Sequence, residues 1–312
     1  MTQCTIGIDI SKDNLDVYCT PEGAARQFRN TKAGHRNLIA WINKRHVERI
    51  VYEPTGPYHR ELERAIDKAG LPIVKVNPRK ARRFAETIDI TAKTDAIDAY
   101  LLAQMGQLLA LAPRPVASDK LNALKELNVA RQALIKDQTA TKNRQKCARQ
   151  PLLIRQCKHR LCQIKTQIAA IECEINRLVA TDAELTKRFD ILVTIPGVSK
   201  ITAMAMLIDM PELGSIGGKQ AASLAGLAPV TRQSGRWSGR AFIRGGRAQL
   251  RKALYMPALV AIRYNPDMKA KYQSLIAAGK PAKIAIVAVM RKLIILANAL
   301  LRDNRKWQPN NA

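Results

Sequence analysis

Four carboxylates in the first third of this 312-residue chain have types and placing that suit chemistry. Asp9 stands at the end of a β-rich run, Thr5 to Ile10, and Glu53 ends another, Arg49-Ile50-Val51-Tyr52-Glu53, closed by Pro54-Thr55-Gly56-Pro57. Asp95 and Asp98 stand at i,i+3 in Thr94-Asp95-Ala96-Ile97-Asp98-Ala99, a spacing that puts both on one helix face. Such a set offers only oxygen donors, which hard cations such as Mg²⁺, or Mn²⁺ in its place, prefer. Two such ions roughly 3.5–4 Å apart can clamp the attacking and leaving oxygens of a phosphodiester. Each acid alone has a plainer role, since Asp-x-x-Asp at a helix start also complements the helix dipole. Together, in a sheet domain joined to a basic remainder, they point to metal-dependent work on nucleic acid.

The basic remainder is extreme. Lys and Arg number 52 against 25 Asp and Glu, a formal charge of +27. An excess of this size repels itself and favours an acidic partner, of which nucleic acid is the densest. The excess is +4 over residues 1–112, +8 over 113–190 and +15 over 191–312. Between Glu212 and Asp267 there is no acid, while Arg232, Arg236, Arg240, Arg244, Arg247, Arg251 and Lys252 lie inside, among Gly235, Gly239, Gly245 and Gly246. A merely solvated face mixes the two signs. This one suits phosphates, and its glycines let backbone approach them closely. Only 14 residues are aromatic, which disfavours a single-strand binder built on base stacking.

The elements that must position these groups follow from periodicity. Strands are predicted over 5–10, 15–19, 25–29, 49–53 and 72–76, with helices over 33–44, from the 53–57 turn to 69, and over 79–87 and 94–110. Three strands and then α, β, α, β, α make a mixed α/β sheet domain over 1–112, with Pro113 and Pro115 at its boundary. The segment 113–190 is helical. Leu161, Ile164, Ile168, Ile171, Ile175 and Leu178 step by 3 and 4, a coiled-coil seam that serves either a hairpin folded on itself or a dimer. Residues 191–312 form a mainly helical domain. Its Ile195-Pro196-Gly197-Val198-Ser199 turn resembles a helix-hairpin-helix element, where Gly197 would sit near a phosphate, or alternatively a plain αα corner. The apolar stretch Ile284 to Leu301 has Arg291 and Lys292 at its centre, so it reads as a buried helix, with no membrane partner. No basic segment precedes an apolar one at the N-terminus, and the six cysteines lack paired spacing. A reducing, cytoplasmic setting is expected.

Three blocks carry a family resemblance: Gly7-Ile8-Asp9-Ile10-Ser11-Lys12, Glu53-Pro54-Thr55-Gly56-Pro57-Tyr58, and the Asp95/Asp98 block. They resemble the DEDD insertion-sequence transposases, a family that includes pilin-gene invertases and bridge-RNA-guided recombinases. Gly226-Leu227-Ala228-Pro229, Ser234-Gly235 and Leu250-Arg251-Lys252-Ala253-Leu254-Tyr255 resemble that family's C-terminal transposase domain. The resemblance implies a RuvC-like (RNase H-type) first domain with Asp9, Glu53, Asp95 and Asp98 as Mg²⁺ ligands. It also implies that Ser234 is a nucleophile that becomes joined to a DNA phosphate. Ser238 has the same Ser-Gly setting, and only the resemblance chooses between them.

A serine ester conserves phosphodiester energy, so strands can be rejoined. The acids and the serine lie in different domains and must meet in a composite site, in cis or between protomers. The expected partners are duplex DNA as donor and target, a structured non-coding RNA, and further copies of the chain as a dimer or a synaptic tetramer. The alternative is a metal-dependent, structure-selective nuclease or junction resolvase using the acids alone.

Overall fold

Strand β1 (Cys4–Ile10) is buried along nearly its whole length, so the sheet must be covered on both faces around it. It pairs antiparallel with β2 (Asn14–Thr20), and β2 pairs with β3 (Ala24–Arg29). Helix α1 (Lys32–Ile42), capped by Thr31, leads to β4 (Val47–Tyr52), which lies parallel to β1 on its other side. Helix α2 (Arg60–Lys68) crosses to β5 (Ile73–Lys75), parallel to β4. Helices α3 (Pro78–Thr87) and α4 (Asp95–Leu108) follow. The computed structural model thus has a five-stranded mixed sheet in the order β3-β2-β1-β4-β5. It describes residues 3–309 except Thr91, Lys93, Arg114, Pro115 and Ala117, so the expected boundary proline at 115 lies outside the described residues.

Two glycines fix α4 on this sheet. A Cβ on Gly7 would stand 2.0 Å from the Ala99 carbonyl oxygen, and one on Gly106 would stand 2.5 Å from a Val51 methyl. The buried Arg49 guanidinium donates to the Gly106 carbonyl at 2.7 Å, tying the end of α4 to β4.

The chain divides into two compact units, Met1–Ala117 and Ser118–Ala312. The second begins with α5 (Asp119–Cys147) and α6 (Pro151–Ala180). These two helices pack on each other as an intramolecular antiparallel hairpin, with Arg131 and Glu172 paired at 2.7 Å across it. Of the expected seam, Ile164 and Ile175 are buried, and Leu161, Ile168, Ile171 and Leu178 are half-buried. The seam therefore serves the hairpin within one chain. The hairpin's base joins the rest of the unit through Leu124, Ile175, Val179, Met204 and Ile208.

Helices α7 (Ala183–Val193), α8 (Lys200–Asp209), α9 (Gly218–Leu224), α10 (Ala248–Ala253), α11 (Tyr255–Tyr264), α12 (Pro266–Ala277) and α13 (Ala282–Arg302) complete the unit. Between α9 and α10 rises a small β-finger, a feature that periodicity does not predict. In it β6 (Pro229–Val230) pairs with β9 (Phe242–Ile243), and β7 (Gln233–Ser234) pairs with β8 (Trp237–Ser238). Helix α13 is long and apolar enough to cross a membrane, yet Val289, Met290, Leu293, Ile294 and Ala297 are buried in this unit's core. It is a core helix, as its central Arg291 and Lys292 imply.

Candidate active site

In the sheet register Ile8 lies beside Tyr52, so Asp9 and Glu53 leave the same carboxyl-end edge of two neighbouring parallel strands. That edge is where open α/β sheets place their ligands. Thr94 caps α4 by accepting from the Ile97 amide, and Asp95 and Asp98 occupy the helix's first turn. The close seat of α4 over Gly7 then carries both aspartates to the same edge. Asp9, Glu53, Asp95 and Asp98 all line one cleft of about 740 Å³.

The charges in this cleft feel one another. Burial is the largest reason the Asp9 carboxyl is pushed up to about 6, followed by repulsion from Asp95, Asp98 and Glu53. The four groups do not form a closed shell: among the described residues, no three His, Cys, Asp or Glu side chains are grouped tightly enough to hold a metal ion. The donor set nevertheless suits a hard cation, because it is all oxygen and its crowded negative charge would be relieved by one.

Several positioning residues were not foreseen. Buried Tyr52, next to Glu53, donates to the Glu63 carboxylate at 2.5 Å, and Lys75 binds the same carboxylate at 2.8 Å. His59 lies 3.8 Å from it, its basicity lowered by burial first and by Lys75 second. This network anchors both ends of the 53–59 turn, whose Gly56 adopts φ +47°. Arg79 and Arg82 of α3, with Lys12, line the same cleft and supply positive charge for a phosphate. The run Pro78-Arg79-Lys80-Ala81-Arg82-Arg83 was the available signal, outweighed by the arginines further along.

In the second unit, Ser234 ends β7 and faces Trp237 across a two-residue turn, where Gly235 takes φ +57° as a tight hairpin requires. Ser234 is exposed, and its hydroxyl has no hydrogen-bond partner among the described residues, whereas the Ser238 hydroxyl accepts from Gln233 at 3.3 Å. Arg236, Arg240, Arg244 and Lys252 also reach the surface, and the exposed Arg232 stacks its guanidinium over Phe242 at 4.8 Å.

Other arginines of the acid-free span turn inward. Arg247 forms a two-point ion pair with Glu212, at 2.7 and 2.6 Å. Burial is the largest single influence and would raise the Glu212 carboxyl. The hydrogen bonds and charge of Arg247, with a backbone hydrogen bond and the charge of Lys125, together hold the group below its usual range. Arg251 donates to the Gly245 carbonyl at 2.7 Å and the Gly226 carbonyl at 3.4 Å. These bonds brace the base of the finger. Gly197 has φ +96°, and a Cβ there would meet the Pro257 oxygen at 2.7 Å, so close packing on α11 accounts for this glycine.

Comparison with known proteins decides what this arrangement belongs to. Residues 6–148 match a DEDD transposase family model, and residues 189–273 match a second, described as the transposase IS116/IS110/IS902 family. The pilin gene-inverting protein of Moraxella bovis is 31% identical over 328 aligned positions, which cover 98% of both chains. The chain belongs to the IS110-family DEDD transposases. It is accordingly an enzyme, a DNA recombinase or transposase, with DNA as substrate. The counterpart from Moraxella lacunata matches to the same extent. An insertion element IS110 protein of Streptomyces coelicolor is 32% identical over 47% of this chain and 36% of its own length.

Proposed function

We propose that this transposase exchanges DNA strands site-specifically through a covalent phosphoserine intermediate at Ser234, at a composite site with the acidic cleft. The observation that carries this reading is the convergence of four distant carboxylates on one cleft, in a family member that also carries an exposed, unengaged serine at a hairpin apex. The sheet order, with β1, β4 and β5 parallel and β2 and β3 antiparallel, supports a RuvC-like reading of the first unit.

In the reaction the Ser234 oxygen forms a bond to a backbone phosphorus as one bridging P–O bond breaks. The serine proton is released, and the departing deoxyribose oxygen takes up a proton. Rejoining reverses these steps with a new strand's hydroxyl as nucleophile. Asp9, Glu53, Asp95 and Asp98 would hold Mg²⁺, or Mn²⁺ in its place. A cation so bound lowers the pKa of an attacking hydroxyl and offsets charge on the phosphoryl oxygens. Exposed Arg232 and Arg236, beside the serine, offset further charge on the crowded phosphorus. A structured RNA guide and assembly into a dimer or synaptic tetramer complete the reading, supported by the family resemblance and by the chain's excess of positive charge.

The test is a suicide DNA substrate that traps the intermediate. Wild type should leave an SDS-stable adduct mapping to the peptide containing Ser234. Ser234→Ala should lose it and Ser238→Ala should keep it. DNA cleavage at the wild-type rate by Ser234→Ala would leave a metal-dependent nuclease or junction resolvase as the function.

A further inference from the structure

The α5–α6 hairpin divides its charge between its two ends. The base, residues 119–137 and 172–184, holds seven acids and five bases. They are substantially paired: Lys120 with Asp182 at 3.3 Å, Arg131 with Glu172 at 2.7 Å, and Arg177 with Glu174 at 2.7 Å. The outer half, residues 138–171, holds eight bases and no acid, and all eight are exposed. Among the described residues only Arg160 of the eight meets a carboxylate, Asp137 at 3.7 Å.

The base of the same two helices serves as an internal control. Helices kept soluble by charge mix the signs and pair them, as the base does. The outer half instead accumulates repulsion that, among the described residues, only the Arg160–Asp137 pair offsets. Its bases are also arranged. Lys142 and Lys146 stand at i,i+4 on α5, Arg149 lies in the link between the two helices, and Arg155, Lys158 and Lys165 follow i, i+3, i+10 on α6. Each helical set lies along one face, about 6 Å long on α5 and about 15 Å on α6 at 1.5 Å per residue. Between Tyr100 and Phe189 there is no Phe, Tyr or Trp, so this surface lacks the large aromatic platforms on which unpaired bases stack. A basic surface without stacking groups fits the phosphates of a duplex.

We propose that the outer half of the α5–α6 hairpin grips the phosphate backbone of duplex DNA, as a second binding surface in addition to the β-finger. The inference rests on DNA being the substrate, and it is independent of the serine and cation readings.

The experiment is equilibrium binding of the full-length protein to a labelled duplex, in EDTA across a salt series, so that neither Ser234 chemistry nor a cation enters. A quadruple variant, K146Q/R149Q/R155Q/K158Q, should bind more weakly. Its log–log salt slope should be shallower by about 0.9 for each phosphate it no longer neutralises. Because all four side chains are exposed, circular dichroism should be unchanged. The charge-preserving R149K/R155K variant should keep the wild-type slope. An unchanged slope in the quadruple variant overturns the proposal. Two further probes are a base-paired RNA hairpin and phosphatidylserine vesicles, the latter because Leu152 and Leu153 are exposed nearby. Weakened binding confined to either probe, with duplex DNA binding intact, also overturns it and assigns the surface to that partner.

Discussion

The acidic cleft and the serine finger show two opposite ways of presenting a reactive group. The cleft takes its four carboxylates from β1, the turn after β4, and the first turn of α4, locked together by buried strands and by glycines that admit the helix backbone. Its geometry costs electrostatic energy, visible in the raised Asp9, and packing sustains that cost. The finger has strands of two residues, an exposed apex and almost no core of its own; Arg247 and Arg251 make the bonds at its base. The site that must hold charge is built into a core. The proposed nucleophile stands free of one, on an exposed hairpin that gives its hydroxyl no hydrogen-bond partner among the described residues.

Breaking either half chemically should have the largest effect. Asp98→Asn and Ser234→Ala should each reduce strand exchange at least ~10³-fold, about 4 kcal/mol of barrier lowering, with DNA binding retained. Gel assays of exchange and of binding measure the two separately, and undiminished exchange by either variant removes that residue from the chemistry.

Packing should separate the halves next. Gly7→Ala places a methyl against the Ala99 carbonyl and should destabilise the first unit by about 3 kcal/mol, read as an earlier thermal transition. Gly235→Ala meets open space and bears only its positive φ, about 1 kcal/mol of local strain, with the melting curve nearly unmoved. Equal shifts would mean that the finger is as tightly packed as the cleft.

At the finger base, Arg247→Gln should cost about 1–2 kcal/mol after allowance for solvent screening of the half-exposed pair. It should also slow adduct formation at Ser234. A Glu212→Arg, Arg247→Glu exchange should recover part of both. If adduct formation is insensitive to Arg247, the pair only stabilises the fold.

The smallest shift concerns Asp9. Its folded pKa of about 6 lies above the unfolded value of 3.8, so the folded state binds the extra proton between them. Wild type therefore loses stability as pH rises from about 4 to about 6, and stays lower above that range. Without divalent cation, Asp9→Asn should stabilise the first unit by about 1 kcal/mol at neutral pH, discounted for partial exposure, and by nothing near pH 4. A gain that is independent of pH would have to come from something other than the carboxyl charge.

Much of the first unit was legible in the sequence because its strands are long enough to show their pattern. The runs around Ile8, Val17 and Val51 match β1, β2 and β4 to within two residues at either end. Asp9 and Glu53 stood out as the ends of two of those runs, and Asp95 and Asp98 as an i,i+3 pair at a helix start. The finger was not legible, because two-residue strands carry no periodicity and depend on the Gly235 turn and a tertiary base. Equally hidden was the partner of Arg247, which lies 35 residues back in the chain, so that an arginine read as phosphate-facing is held by Glu212. The Glu63 network beside Glu53 was missed because Glu63, Tyr52 and Lys75 meet only through the fold.

The long α5–α6 hairpin also has a mechanical side. From Leu124 at its base to Cys147 at its end, α5 extends about 35 Å at 1.5 Å per residue, held at the base by a small cluster of apolar side chains. Such a lever magnifies small tilts: about 10° at the base moves the tip about 6 Å, nearly two base-pair steps at 3.4 Å each. Modest repacking around Met204 and Ile208 is therefore enough to change which stretch of a duplex the tip can reach.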